Sequence, residues 1–109
     1  MKTNELTGDA LDWAVAKCEG IDLFETEGWL YDHDTGTRKP YGPSTNWSQG
    51  GPIIEREKID VWTHAGKEWA ASVDKGRNEF KGSTFLIAAM RCFVTSKLGD
   101  EIEIPEAMK

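Results

Sequence analysis

Cysteine, histidine and long apolar runs are all scarce in this chain of 109 residues. Two cysteines cannot build a multi-bridge disulfide scaffold, and no further cysteine or closely spaced histidine completes a zinc pattern. Cys18 and Cys92 both fall beside apolar residues in stretches that read as helix, so they are expected to be reduced core thiols. No apolar run approaches the roughly 18–20 residues needed to span a bilayer. The opening residues, Met1 to Glu5, have no hydrophobic signal core behind them, and the expectation is a cytoplasmic protein with no membrane role. Basic residues are also in deficit: 13 Lys and Arg stand against 19 Asp and Glu, for a net charge of −6. The imbalance lies in the first half, where residues 1–54 hold nine acids and four bases. Phosphate backbones are bound by basic patches that release counterions, so general nucleic-acid binding is not expected. No phosphate-binding glycine loop is present, no serine lies in a G-x-S-x-G context, and neither cysteine has a local sign of activation. No catalytic residues and no cofactor are assigned.

What remains is enough for a core. Hydrophobic residues make up 39% of the chain and include five Trp and four Phe, which suits one compact domain over residues 1–109. Thr7 is a good helix N-cap, with Leu6 and Leu11 placed as a hydrophobic staple. Ala10, Leu11, Ala14, Val15 and Cys18 then recur at helical spacing until Gly20 stops the helix, and Trp13 covers the edge of that stripe. Residues 21–26 and 29–31 read as strands, as do 59–63 and 69–73 around a turn at Ala65-Gly66-Lys67. Residues 53–58 fit either a helical turn or a strand, and 74–82 read as a charged connector. Ser83 or Thr84 caps a second helix, apolar over most of its circumference and therefore expected at the centre of the fold, which Gly99 ends. Ile102 and Ile104 alternate with Glu101 and Glu103 as a short final strand would. The expectation is an α+β fold, with two helices on a small, largely antiparallel sheet of about five strands in the order α-β-β-β-β-α-β.

The stretch 41–52 stands apart. An aromatic near each end, a run of hydroxyl and amide side chains and a Gly-Gly-Pro exit make a poor strand and a poor helix, and ordered loops of this kind often carry binding. Tyr41 and Trp47 offer flat apolar faces, while Ser44, Thr45, Asn46 and Gln49 offer directed hydrogen bonds. Gly50-Gly51 would admit a ligand close to the backbone, and Arg56, just past the exit, has the planar fork that holds a carboxylate or phosphate. The competing reading is a structural loop whose Trp47 plugs the core and whose polar groups satisfy their own backbone, with Arg56 paired to a surface acid.

Other candidates are weaker. Asp32-His33-Asp34 has metal-ligand chemistry but fails the calcium-loop pattern, since Thr37 stands where that loop has Gly and Pro43 where it has Glu. It reads as a solvated turn, and no metal site is assigned. Arg91 is the one charge in an otherwise apolar helix and needs a partner if buried: an internal acid, a ligand anion, another protein, or a route to solvent.

Glu5-Leu6-Thr7-Gly8 with Ala10-Leu11-Asp12-Trp13-Ala14-Val15-Ala16, then Pro43-Ser44-Thr45-Asn46-Trp47 and Gly50-Gly51-Pro52-Ile53-Ile54, and finally Ala88-Ala89-Met90-Arg91-Cys92 with Lys97-Leu98-Gly99-Asp100-Glu101, resemble the NinX-like family of small bacteriophage and prophage proteins. The later part, around Trp69-Ala70, Thr84 and Ala89-Met90-Arg91, also resembles a phage domain described as an α-β-α sandwich. The first resemblance implies a phage accessory gene product made in the bacterial cytoplasm, and it brings no catalytic residues with it. The leading expectation is a non-enzymatic module that binds a host or phage protein, with an acidic nucleic-acid mimic as one form of it. The alternative is a small-molecule or nucleotide-binding module using residues 41–56, and a divergent hydrolase drawing on acids and His33 comes third.

Overall fold

The computed structural model describes residues 1–26, 28–32 and 40–108. Helix α1 spans Gly8–Glu19. Thr7 stands at its N-cap in extended backbone, without a side-chain capping bond, and Leu6 before it is fully buried. Gly20 turns left-handed at φ 70°, and the N–H groups of Gly20 and Ile21 donate to the carbonyls of Lys17 and Ala16, closing a Schellman motif. The predicted stripe points inward: Ala10, Leu11, Ala14 and Val15 are all buried.

Strands β1, Leu23–Thr26, and β2, Trp29–Asp32, form an antiparallel hairpin in which Thr26 faces Trp29. Helix α2 follows at Trp47–Glu57, then the antiparallel strands β3, Asp60–His64, β4, Glu68–Ser72, and β5, Phe80–Gly82, in the order β3-β4-β5. Helix α3, Phe85–Leu98, packs against β4, β5, α1 and α2 and is the central element, as its apolar circumference predicts. Thr84 Oγ1 accepts the Ile87 N–H at 3.1 Å, and the Gly99 N–H closes the far end on the Thr95 carbonyl.

The α+β class and the antiparallel pairing are those the sequence predicts, but the strands divide into two sheets, β1-β2 and β3-β4-β5, instead of one, because α2 comes between them in the chain, and the elements differ in three places. Half of the supposed loop 41–52 belongs to a third helix, α2. Asn46 Oδ1 accepts the Ser48 N–H at 2.9 Å to cap it, its own Ile53 is buried in the core, and these outweigh the low helix propensity of Gly50, Gly51 and Pro52. The connector 74–82 ends in β5, a strand too short to leave a periodic signal, with Phe80 opposite Ala71 and Gly82 opposite Trp69. The C-terminal segment does alternate, with Ile104 buried and Glu101 and Glu103 exposed, but it makes only an isolated bridge between Glu101 and Lys2. Alternation there records which side chains face the core, and no strand ladder accompanies it.

Three charged or thiol groups take structural places. The Arg91 guanidinium donates through Nε to the Leu6 carbonyl at 2.9 Å and through Nη1 to the Lys81 carbonyl at 2.7 Å. Its partners are therefore backbone oxygens of the N-terminal segment and of β5. Cys92 is buried and Cys18 half-buried, both as free thiols, and burial pushes them up to about 12 and about 11.

Candidate functional site

The first turns of α1 and α2 both come up beside the hairpin β1–β2, and the three leave a cleft of about 520 Å³ between them. Asp9 and Asp12 of α1 form one wall, Trp29 of β2 the second, and Tyr41, Thr45 and Trp47 the third. Trp29 and Trp47 stand at its edge and are 57% and 58% exposed, unusual values for the largest apolar side chain. The Trp47 ring is not loose. It packs on Phe85 at 4.9 Å between centroids, and Phe85 in turn meets Trp69 edge-on at 5.3 Å. Trp47 thus neither plugs the core nor floats; one side rests on α3 and the other faces solvent.

Asp12 is the residue that sequence reading missed. It is only 5% exposed, and its Oδ1 accepts the Ser44 N–H at 2.9 Å. Loss of hydration on burial raises its pKa from 3.8 to about 6; the bond from Ser44 offsets part of that rise and the charge of Asp9 adds to it. Ser44 Oγ is buried without a geometrically sound hydrogen bond, although it lies close enough to this carboxyl to favour the ionised form. The signal for Asp12 was faint: Gly8, Asp12 and Ala16 share one side of α1 at spacing four, so a lone acid sits between small residues that let neighbours close over it. Trp29 carried no such signal, because an aromatic suits a strand whichever way it points.

The residues singled out from sequence are divided by the structure. Tyr41, Thr45, Asn46 and Trp47 line the cleft. Burial pushes the Tyr41 phenol well above its ordinary range. Ser44 is 2% exposed beneath the cleft and also borders a smaller apolar hollow of about 260 Å³ with Trp47 and Phe85. Gln49 is spent on its own loop: its Oε1 accepts the Gly42 N–H at 2.6 Å and its Nε2 donates to the Pro40 carbonyl at 3.0 Å. Asn46 Oδ1 is likewise engaged by the N–H and hydroxyl of Ser48. Arg56 is not at the cleft. Its fork grips Glu19 at 2.7 and 3.1 Å, and its Nε donates to Glu57 at 2.8 Å. Gly50, expected to admit a ligand, is instead approached by the protein itself; a β-carbon there would lie 2.5 Å from the Pro43 carbonyl oxygen. His33 and Asp34 of the metal-like triplet lie outside the described residues. Among the described residues no group of three or more His, Cys, Asp and Glu is placed to hold a metal ion, and no helix is long and apolar enough to cross a membrane.

The sequence model of the family described as Bacteriophage P22, NinX matches residues 2–97, and no curated protein matches the chain. The chain belongs to that phage family.

Proposed function

We propose that this phage accessory protein acts in the host cytoplasm without catalysis, by binding a host or phage protein through the cleft between α1, β2 and α2. The observation that carries this reading is the pair of half-exposed tryptophans at the edge of one concave surface. Burying such rings contributes more per residue than any other side chain, which is why tryptophan is enriched among the few residues that dominate interfaces. Pre-packing of Trp47 on Phe85 further reduces the entropy lost when a partner covers it.

A photo-reactive amino acid placed at Thr45, which is exposed and lines the cleft, and a second at Val73, exposed elsewhere, give the test in infected cells. A specific cross-linked band from position 45 and none from 73 is the expected result. Equal labelling from both positions would rule out the cleft as the interface.

The cleft volume also falls within the range of small-molecule pockets, roughly 300–1,000 Å³. A nucleotide is the less suitable guest, since its phosphates would meet Asp9 and Asp12 while Arg56 is held by Glu19 and Glu57. Saturating metabolite mixtures would raise the melting temperature if this second reading holds.

A further inference from the structure

We infer that the cleft recognises a basic side chain, an arginine or lysine of the bound protein, held between the Trp29, Tyr41 and Trp47 rings with the Asp12 carboxyl as its counter-charge. This rests on the cleft being the interaction site and specifies what enters it. Asp12 Oδ1 is committed to the Ser44 N–H, and no hydrogen bond among the described residues engages Oδ2. A carboxyl so nearly buried, on a residue that lines the cleft and with the Ser44 hydroxyl close by but not in a sound hydrogen bond, has the local environment that a cation completes. None of the described residues lining the cleft is basic. The aromatic faces add attraction of the same sign, because their quadrupoles favour a cation within about 6 Å of the ring.

The opposing effect is the helix dipole, since the N-termini of α1 and α2 both border the cleft. Each brings about half a positive charge. At α2 the Asn46 cap has already satisfied the Ser48 N–H. Asp9 and Asp12 bring two full negative charges, so the field remains negative once Asp12 is ionised. The raised proton affinity of Asp12, chiefly the effect of burial with a smaller part from the charge of Asp9, agrees with this picture: the carboxylate is poorly hydrated, and a proton or a guest cation offsets its charge.

N-acetyl-arginine amide and N-acetyl-lysine amide are the probes, with N-acetyl-citrulline amide as the neutral shape control and inorganic phosphate as the anion. The full chain is titrated and the indole N–H signals of Trp29 and Trp47 are followed by NMR. Saturable shifts with the cationic probes, in the millimolar range usual for a single side chain, are expected, with Asp12→Asn weakening them by about tenfold. The citrulline and phosphate probes should leave the two indoles unmoved. Trp47→Ala, which removes an exposed ring, should likewise weaken binding as read at the Trp29 indole and serves if Asp12→Asn fails to fold. Equal binding of citrulline, preferential binding of phosphate, or no saturation with either cation would each overturn the inference. An Arg38→Gln, Lys39→Gln double variant tests the chain's own basic residues as occupants; tighter probe binding in that variant would overturn it too. If position 45 still cross-links a protein while the cationic probes fail, the interface reading survives and only the basic-side-chain inference is lost.

Discussion

Asp12 is a carboxyl that folding places where its charge is poorly hydrated, and the consequence can be read with pH. Its ordinary value is 3.8 and its folded value about 6, so the native state binds the proton more tightly than the unfolded chain does. Stability from this group is therefore fully present below about 3.8, is lost as pH rises through the interval from 3.8 to 6, and stays lost above it. At pH 7 the ionised group costs the fold on the order of 2 kcal/mol. Asp12→Asn keeps an oxygen for the Ser44 N–H and removes the charge, so urea unfolding should show a gain of about 2 kcal/mol at pH 7 and almost none at pH 4. A variant no more stable at pH 7 would show that the carboxyl is well solvated. An acid kept at a cost to stability is what the stability–activity trade-off places at binding sites, which agrees with the role proposed for it.

At the scale of elements, α2 shows how tertiary contacts decide a segment whose local preferences are weak. Gly50 and Gly51 are adjacent in the same helix, yet their surroundings are opposite. A β-carbon at Gly50 would lie 2.5 Å from the Pro43 carbonyl oxygen and 2.8 Å from Leu86 Cδ2, whereas one at Gly51 would meet nothing within 4 Å. Alanine in place of glycine inside a helix ordinarily gains up to about 1 kcal/mol. Gly51→Ala should therefore stabilise by roughly 0.5–1 kcal/mol, while Gly50→Ala should destabilise by about 2 kcal/mol as the Pro43 loop and α3 are pushed apart. Thermal melts of the two variants moving in the same direction would contradict this account of α2. Helices α1 and α3 were legible in sequence because cap, stripe and stop agree within each. Helix α2 was not, because its cap at Asn46 precedes three residues that local rules assign to a turn and its packing partners, Pro43 and Leu86, lie outside it.

Across the whole molecule, the ends of the chain are drawn to one side of α3. The N-terminal ammonium donates to the Ile102 carbonyl, the Ile102 N–H returns a bond to the Met1 carbonyl, and Thr3 Oγ1 donates to the Gly99 carbonyl. Arg91 ties the Leu6 and Lys81 carbonyls to α3 from another turn of the helix. These links unite the N-terminal segment, β5 and the central helix, and we expect the chain to unfold as one cooperative unit. Tryptophan fluorescence and far-UV circular dichroism should give coincident denaturation curves; two separated transitions would divide the chain into independent parts. Arg91→Met should retain that single transition but lower its stability by about 1–3 kcal/mol, since two carbonyls lose a charged donor. Arg91→Lys should recover less than half of the loss, because an ammonium cannot reproduce two bonds set at the fork of a guanidinium.

The sequence by itself determined α1 and α3, the antiparallel hairpin β3–β4 and the α+β class, all of which depend on periodicity, caps and turns within about twenty residues, and its motifs from Glu5 to Glu101 carried the likeness to a phage family. It also marked 41–56 as unusual and picked out Tyr41 and Trp47, which do line the cleft. The tertiary structure alone decided that Asp12 is buried and Trp29 exposed and that the fork of Arg56 belongs to Glu19; between the two readings the sequence left open, it chose the one in which Gln49 and Asn46 are consumed by their own loop. The physical reason is the same in each case. Hydration of a carboxyl, exposure of a ring and pairing of a guanidinium are set by what lies across space from it, and for Asp12 that is Ser44, thirty-two residues along the chain.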